Sequence, residues 1–93
     1  MDENELILDG NAAAGVLAEI FGADVTGGAS VCDSCGAGWR VAELVAYTRA
    51  PGLVLRCRGC SSVMIRIVRT RTGYVLDLHG CRSLEVVRPE DRS

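Results

Sequence analysis

Two Cys-x-x-Cys pairs, Cys32-Asp33-Ser34-Cys35 and Cys57-Arg58-Gly59-Cys60, separated by 21 residues, constrain this 93-residue chain more than anything else in it. Each pair presents two sulfurs on one side of a tight bend, and two such bends facing each other complete a tetrahedral all-sulfur shell. The linker is slightly longer than is usual for such sites. The spacing predicts a treble-clef or zinc-ribbon arrangement with one Zn2+ on Cys32, Cys35, Cys57 and Cys60, iron being the less favoured occupant.

Disulfides or a redox-active dithiol suit the surroundings less well. Met1 to Ile20 begins acidic, with Asp2, Glu3, Glu5 and Asp9, and has neither a basic start nor a long apolar run. Export and membrane insertion are therefore not signalled, and a cytoplasmic location is expected. Paired cysteines in a reducing compartment hold metal more often than they bridge each other. A thioredoxin-type motif needs a strand-then-helix context, which is missing after Cys35 and after Cys60.

A chain of this length folds as one domain and buries a modest share of its surface. Aromatics are scarce (Phe21, Trp39, Tyr47, Tyr74), so the core must come from Val, Leu, Ile and Ala. A four-thiolate zinc contributes about 10 kcal/mol or more of apparent binding free energy near neutral pH, which exceeds the stability of many small domains. The metal is thus expected to decide whether the ribbon half folds.

Charge is unevenly placed. Residues 1–33 carry seven acids and no base, whereas residues 34–93 carry all ten arginines against five acids, and lysine is absent. The halves attract each other, and a zinc on four thiolates adds a local charge of −2.

The apolar positions 13, 16, 17, 20 and 21 follow helical spacing and predict an amphipathic helix ending at Phe21, with Asp9 or Asn11 as cap and Gly22 as left-handed terminator. Residues 24–30, with Gly27-Gly28, read as a flexible linker. Trp39 to Thr48 reads as a strand, with a helical turn over residues 41–45 as the alternative. Ala50-Pro51-Gly52 makes a turn into Leu53–Arg56, which delivers the second cysteine pair opposite the first. Residues 62–70 and 74–79 pair as a hairpin through Arg71-Thr72-Gly73, and residues 83–87 are a candidate last strand. The fold class is therefore a small metal-bound α+β, an N-terminal amphipathic helix followed by an antiparallel β zinc-ribbon module. Its parts are a helical arm (1–22), a Gly-rich linker (23–30), the β module (31–88) and a frayed tail (89–93).

Several segments together resemble a small actinobacterial-type family of unknown function with a four-cysteine zinc-ribbon core. They are Asp9 to Gly15, Glu19-Ile20-Phe21, the first cysteine pair with Gly36, Ala50 to Cys57, and Leu76-Asp77-Leu78-His79-Gly80. The resemblance spans nearly the whole chain, implies zinc on Cys32, Cys35, Cys57 and Cys60, and brings no activity with it.

The leading functional expectation is a zinc-binding structural or adaptor module for protein–protein contact or regulation, the helix docking on its own sheet or on an unidentified protein partner. Four thiolates close the shell, so no catalysis is expected. The first alternative is a nucleic-acid-binding ribbon using Arg56, Arg58, Arg66, Arg69 and Arg71, opposed by the acidic pI of 5.3. Such strand arginines are more often ordinary surface charges. The second alternative is a rubredoxin-like iron electron-transfer protein, opposed by Cys57-Arg58-Gly59-Cys60-Ser61 where Cys-Pro-x-Cys-Gly is usual. His79 and Cys81 supply too few ligands for a second metal, and read as a strand-end side chain and a spare thiol. Trp39 reads as core or as a cover over the metal site.

Overall fold

Antiparallel strand pairing is the main regular structure of the computed structural model, which describes residues 6–22, 25–49 and 52–86. Short runs of Val, Ile, Leu and Tyr form eight strands, since branched and aromatic side chains suit a half-buried pleat. They are β1 (Leu6–Asp9), β2 (Ala29–Cys32), β3 (Gly38–Arg40), β4 (Val45–Arg49), β5 (Gly52–Arg56), β6 (Val63–Arg69), β7 (Tyr74–Asp77) and β8 (Cys81–Leu84). One sheet runs β1-β4-β5-β6-β7 and the other β3-β2-β8, every pair antiparallel. The one α-helix among the described residues, α1 (Ala14–Phe21), completes a small α+β architecture.

The register sorts the five-stranded sheet into two faces, because side chains alternate with a period of two. Ala46, Leu53, Leu55, Ile65 and Ile67 fall on one face and are buried. Helix α1 packs there through Leu17, with Val16, Ile20 and Phe21 lying against the same cluster. Tyr74 on this face donates its hydroxyl proton to the Glu19 carboxylate, tying the helix to β7. The other face carries Tyr47, Val54, Arg66, Val68, Val75 and Asp77, all exposed or half-buried. As composition implies, the largest fully buried side chains are aliphatic: Leu17, Leu44, Leu55, Met64 and Ile65.

Five sequence expectations require correction. Leu6–Asp9 is not part of a helical arm; it is an edge strand paired with β4 from Leu6↔Thr48 to Asp9↔Val45. Three consecutive bulky aliphatics there satisfy their backbone in a ladder, and the division at residue 22 dissolves because helix and sheet share one core. The helix is entered through a 3-10 turn at Gly10–Ala13, and the N-cap residue is Ala13, with no side-chain cap. Gly22 takes φ +70 and donates its N–H to Ala18 O.

The expected linker 23–30 is not loose where it is described: Val25 and Ser30 are buried, and the Ser30 hydroxyl donates to Trp39 O at 2.8 Å. The strand expected over residues 39–48 is broken by a 3-10 turn at Val41–Glu43, where the Arg40 N–H is accepted by Glu43 Oε1 at 2.8 Å. The last strand, expected at 83–87, sits at Cys81–Leu84 because it pairs with β2, and residue 87 lies outside the described residues. Residues 23, 24, 50 and 51 and the expected tail lie outside the described residues.

Candidate metal centre

Both Cys-x-x-Cys segments are the bends of β-hairpins, the first between β2 and β3 and the second between β5 and β6. They are built on one plan. In the first, Cys32 N–H is accepted by Ala37 O and Gly36 N–H by Cys32 O, both at 2.9 Å. In the second, Cys57 N–H is accepted by Ser62 O and Ser61 N–H by Cys57 O, again both at 2.9 Å. The residue after each pair turns the chain left-handed, Gly36 at φ +77 and Ser61 at φ +68. Glycine enters this region without penalty, whereas serine is strained there. The Arg56 guanidinium helps hold Ser61 in place, Nη1 donating to Ser61 O at 2.9 Å.

The repeated plan brings four sulfurs to one centre. Cys32 Sγ lies 3.6 Å from Cys60 Sγ and Cys35 Sγ 3.7 Å from Cys57 Sγ, with all four within 4.8 Å of one another. A tetrahedral ion with metal–sulfur bonds of about 2.3 Å requires sulfur–sulfur edges of about 3.8 Å. The observed separations match this and are far too long for disulfides. Cys32 and Cys57 are buried in the core, at 0% and 1% exposure, whereas Cys35 and Cys60 face solvent. The centre therefore sits at the boundary of core and water, with one inner and one outer sulfur from each hairpin.

Local donors favour thiolate at the second bend. Burial works upward on the Cys57 thiol, but the Cys60 and Gly59 N–H groups, 3.4 and 3.3 Å from its sulfur, outweigh it and bring it down to about 6. The Trp39 indole N–H is buried with no geometrically sound partner, yet it lies close enough to Cys57 to favour the thiolate as well. Its ring covers this bend, within 3.5 Å of where a side chain on Gly59 would begin. The Ser62 hydroxyl and N–H hold Cys60 below the usual thiol range. At the first bend the Ala37 N–H lowers Cys35, but desolvation and the adjoining Cys57, Cys60 and Cys32 sulfurs overcome it and push that thiol up to about 11. Four sulfurs sharing protons across such short edges form a set that a divalent cation would stabilise as thiolates.

The arginines proposed from sequence differ in their partners. Arg56 stacks over the Tyr47 ring, 5.2 Å from its centroid, in addition to holding Ser61. Arg58 Nε donates to Glu43 O at 2.9 Å, and Arg69 lies beside Tyr74. Arg66 and Arg71 are exposed.

Sequence reasoning did not foresee three features: the left-handed turn at Ser61, the part Ser62 plays at Cys60, and the pairing of Cys81 with Cys32 across β2 and β8. Ser61 follows its cysteine pair as Gly36 follows the other, but serine carries no signal for left-handed backbone. Burial raises the Cys81 thiol, which donates to Ser83 O at 3.0 Å. Among the described residues, the metal-capable cluster is the four cysteines alone, without His79 or Cys81.

A family model of unknown function (DUF6510) matches residues 2–89, and the chain belongs to that family. No curated protein and no solved structure matches. No helix among the described residues is long and apolar enough to cross a membrane.

Proposed function

We propose that this member of the family is a zinc-ribbon-type structural module that presents a protein-contact surface and carries out no chemistry of its own. The observation that carries this reading is the closed geometry of the centre. Cys32, Cys35, Cys57 and Cys60 would occupy all four tetrahedral positions, leaving none for a substrate or a water. The ion would supply cohesion, fastening the β2–β3 hairpin to the β5–β6 hairpin.

Contact with a protein is supported by the outer face of the five-stranded sheet. Tyr47, Val54 and Val68 are half-buried there, and Val75 is 57% exposed on β7, which among the described residues has a ladder on one side only. An edge strand bearing an exposed branched side chain is suited to receiving an extended segment of a partner. The internal bonds of Arg56 and Arg58 weigh against the nucleic-acid alternative, since both guanidinium groups already serve the fold.

Elemental analysis of freshly purified protein should give one zinc per chain without visible colour; a red, iron-containing product would replace zinc by iron. Affinity capture from the native host should recover one protein stoichiometrically with the parent chain and lose it with Val75→Asp. A mobility shift of nucleic acid at sub-micromolar protein that weakens with salt, with no protein recovered, would sink the proposal.

A further inference from the structure

A cleft of about 400 Å³ opens on the outer sheet face, between the first cysteine bend and the ends of β6 and β7. Asp33 and Ser34 form one wall; Arg66, Asp77 and His79 form the other. The floor is held by main-chain contacts. A side chain on Gly80 would begin 1.8 Å from Val63 O, so the β7–β8 turn lies directly on β6. The Asp33 N–H is accepted by Gly80 O at 3.0 Å, which fastens the cysteine bend to that turn. The walls thus keep their spacing as long as the bend is intact.

The charged groups in this cleft are unequally satisfied. Asp77 Oδ1 accepts the His79 N–H at 2.8 Å, and Asp33 lies 3.6 Å from Arg82 Nε. Arg66 stands directly across from Asp77 in the β6–β7 register, yet it makes no ion pair or hydrogen bond among the described residues. The His79 ring likewise has no such partner there. The cleft therefore offers a free guanidinium and a ring donor beside two carboxylates that retain acceptor capacity. A simple anion would meet Arg66 but be repelled by Asp33 and Asp77, and a simple cation the reverse. A molecule bearing both charges a few ångströms apart satisfies both sets, with the bidentate geometry that arginine and carboxylate favour. The volume falls at the lower end of small-ligand sites.

We infer that the cleft is a binding site for a free α-amino acid or a similar small zwitterion. Its carboxylate lies on Arg66 and His79, its ammonium on Asp77, with Ser34 at the rim. This site lies on the sheet face assigned to protein contact, does not depend on that role, and needs the metal-held bend only to position Asp33 and Ser34.

The test is amide NMR on zinc-loaded protein of verified metal content, at constant ionic strength, titrating the common amino acids one by one to about 10 mM, with acetate and methylammonium as half-probes. At least one amino acid should give saturable shifts centred on Ser34, Arg66 and His79, and bind about tenfold or more tightly than either half-probe. Arg66→Gln should weaken it by about tenfold or more, as should Asp77→Asn, which keeps an acceptor for the His79 N–H while losing the charge. Arg71→Gln, outside the cleft, should bind as the parent does. The inference is overturned if no amino acid binds, if acetate binds as tightly, if the shifts lie elsewhere, or if Arg66→Gln binds like the parent while retaining its zinc and spectrum.

Discussion

Exchanging the residue types at the two left-handed positions should shift metal affinity in opposite directions. Gly36 and Ser61 occupy equivalent places after the two cysteine pairs, at φ +77 and +68. A left-handed L-residue costs about 1–2 kcal/mol relative to right-handed backbone. Glycine avoids that strain but loses about 0.5–1 kcal/mol more conformational entropy on ordering. The difference favours glycine by about 0.5–1 kcal/mol at either position. A side chain at residue 36 would meet nothing within 4 Å, and Ser61 is exposed, so neither exchange introduces a clash or opens a cavity.

Ser61→Gly should therefore tighten zinc about two- to fivefold and Gly36→Ser should loosen it by a similar factor, since bend formation and metal binding are coupled and about 1.4 kcal/mol corresponds to a decade. The double variant should return close to the parent. Competition against a chromophoric chelator at fixed pH measures all three. A Ser61→Gly protein that binds zinc more weakly than the parent, or a neutral Gly36→Ser, would refute the claim that both bends obey one backbone rule.

Three further outcomes are expected. The stability of metal-free protein should peak near pH 9: Cys57, lowered from 9.0 to about 6, contributes fully above 9 and loses its contribution as pH falls through 6, whereas Cys35, raised to about 11, loses its own as pH rises from 9 to 11. Denaturant midpoints across that range would show it, and a monotonic curve would contradict it. Glu19→Gln should bring the Tyr74 phenol titration, held above 10 by the Glu19 carboxylate, back toward its ordinary value, read by ultraviolet difference absorbance. Chelation should strip amide-exchange protection from β2, β3 and β8 while β4, β5 and β6 keep theirs, because most of the buried aliphatic side chains (Ala46, Leu53, Leu55, Ile65 and Ile67 among them) belong to the larger sheet; uniform loss would show a single cooperative unit.

The four-cysteine cluster was legible because its information is local. Two residues between each cysteine pair dictate a tight bend with both sulfurs on one side, and no distant contact is needed to foresee it. The apolar spacing of residues 13–21 was equally local, and those side chains do pack on the core. Leu6–Asp9 misled because a short aliphatic run has no period of its own; its partner β4 lies about forty residues away, and only pairing decides its state. The break at Val41–Glu43 is visible in the sequence only as an alternative to a strand, since strand propensity within a window carries no record of where a ladder must end.

What sequence by itself determined is the set of four sulfur donors, the aliphatic character of the core and the chain's helix-plus-strand content, all of which follow from neighbour-to-neighbour spacing. Tertiary structure alone decided which strands pair, the cover that Trp39 places over the second bend, the internal use of Arg56 and Arg58, and the meeting of Asp33 with Arg66, Asp77 and His79. Those depend on register between segments distant in the chain, where a shift of one residue would turn every side chain to the opposite face.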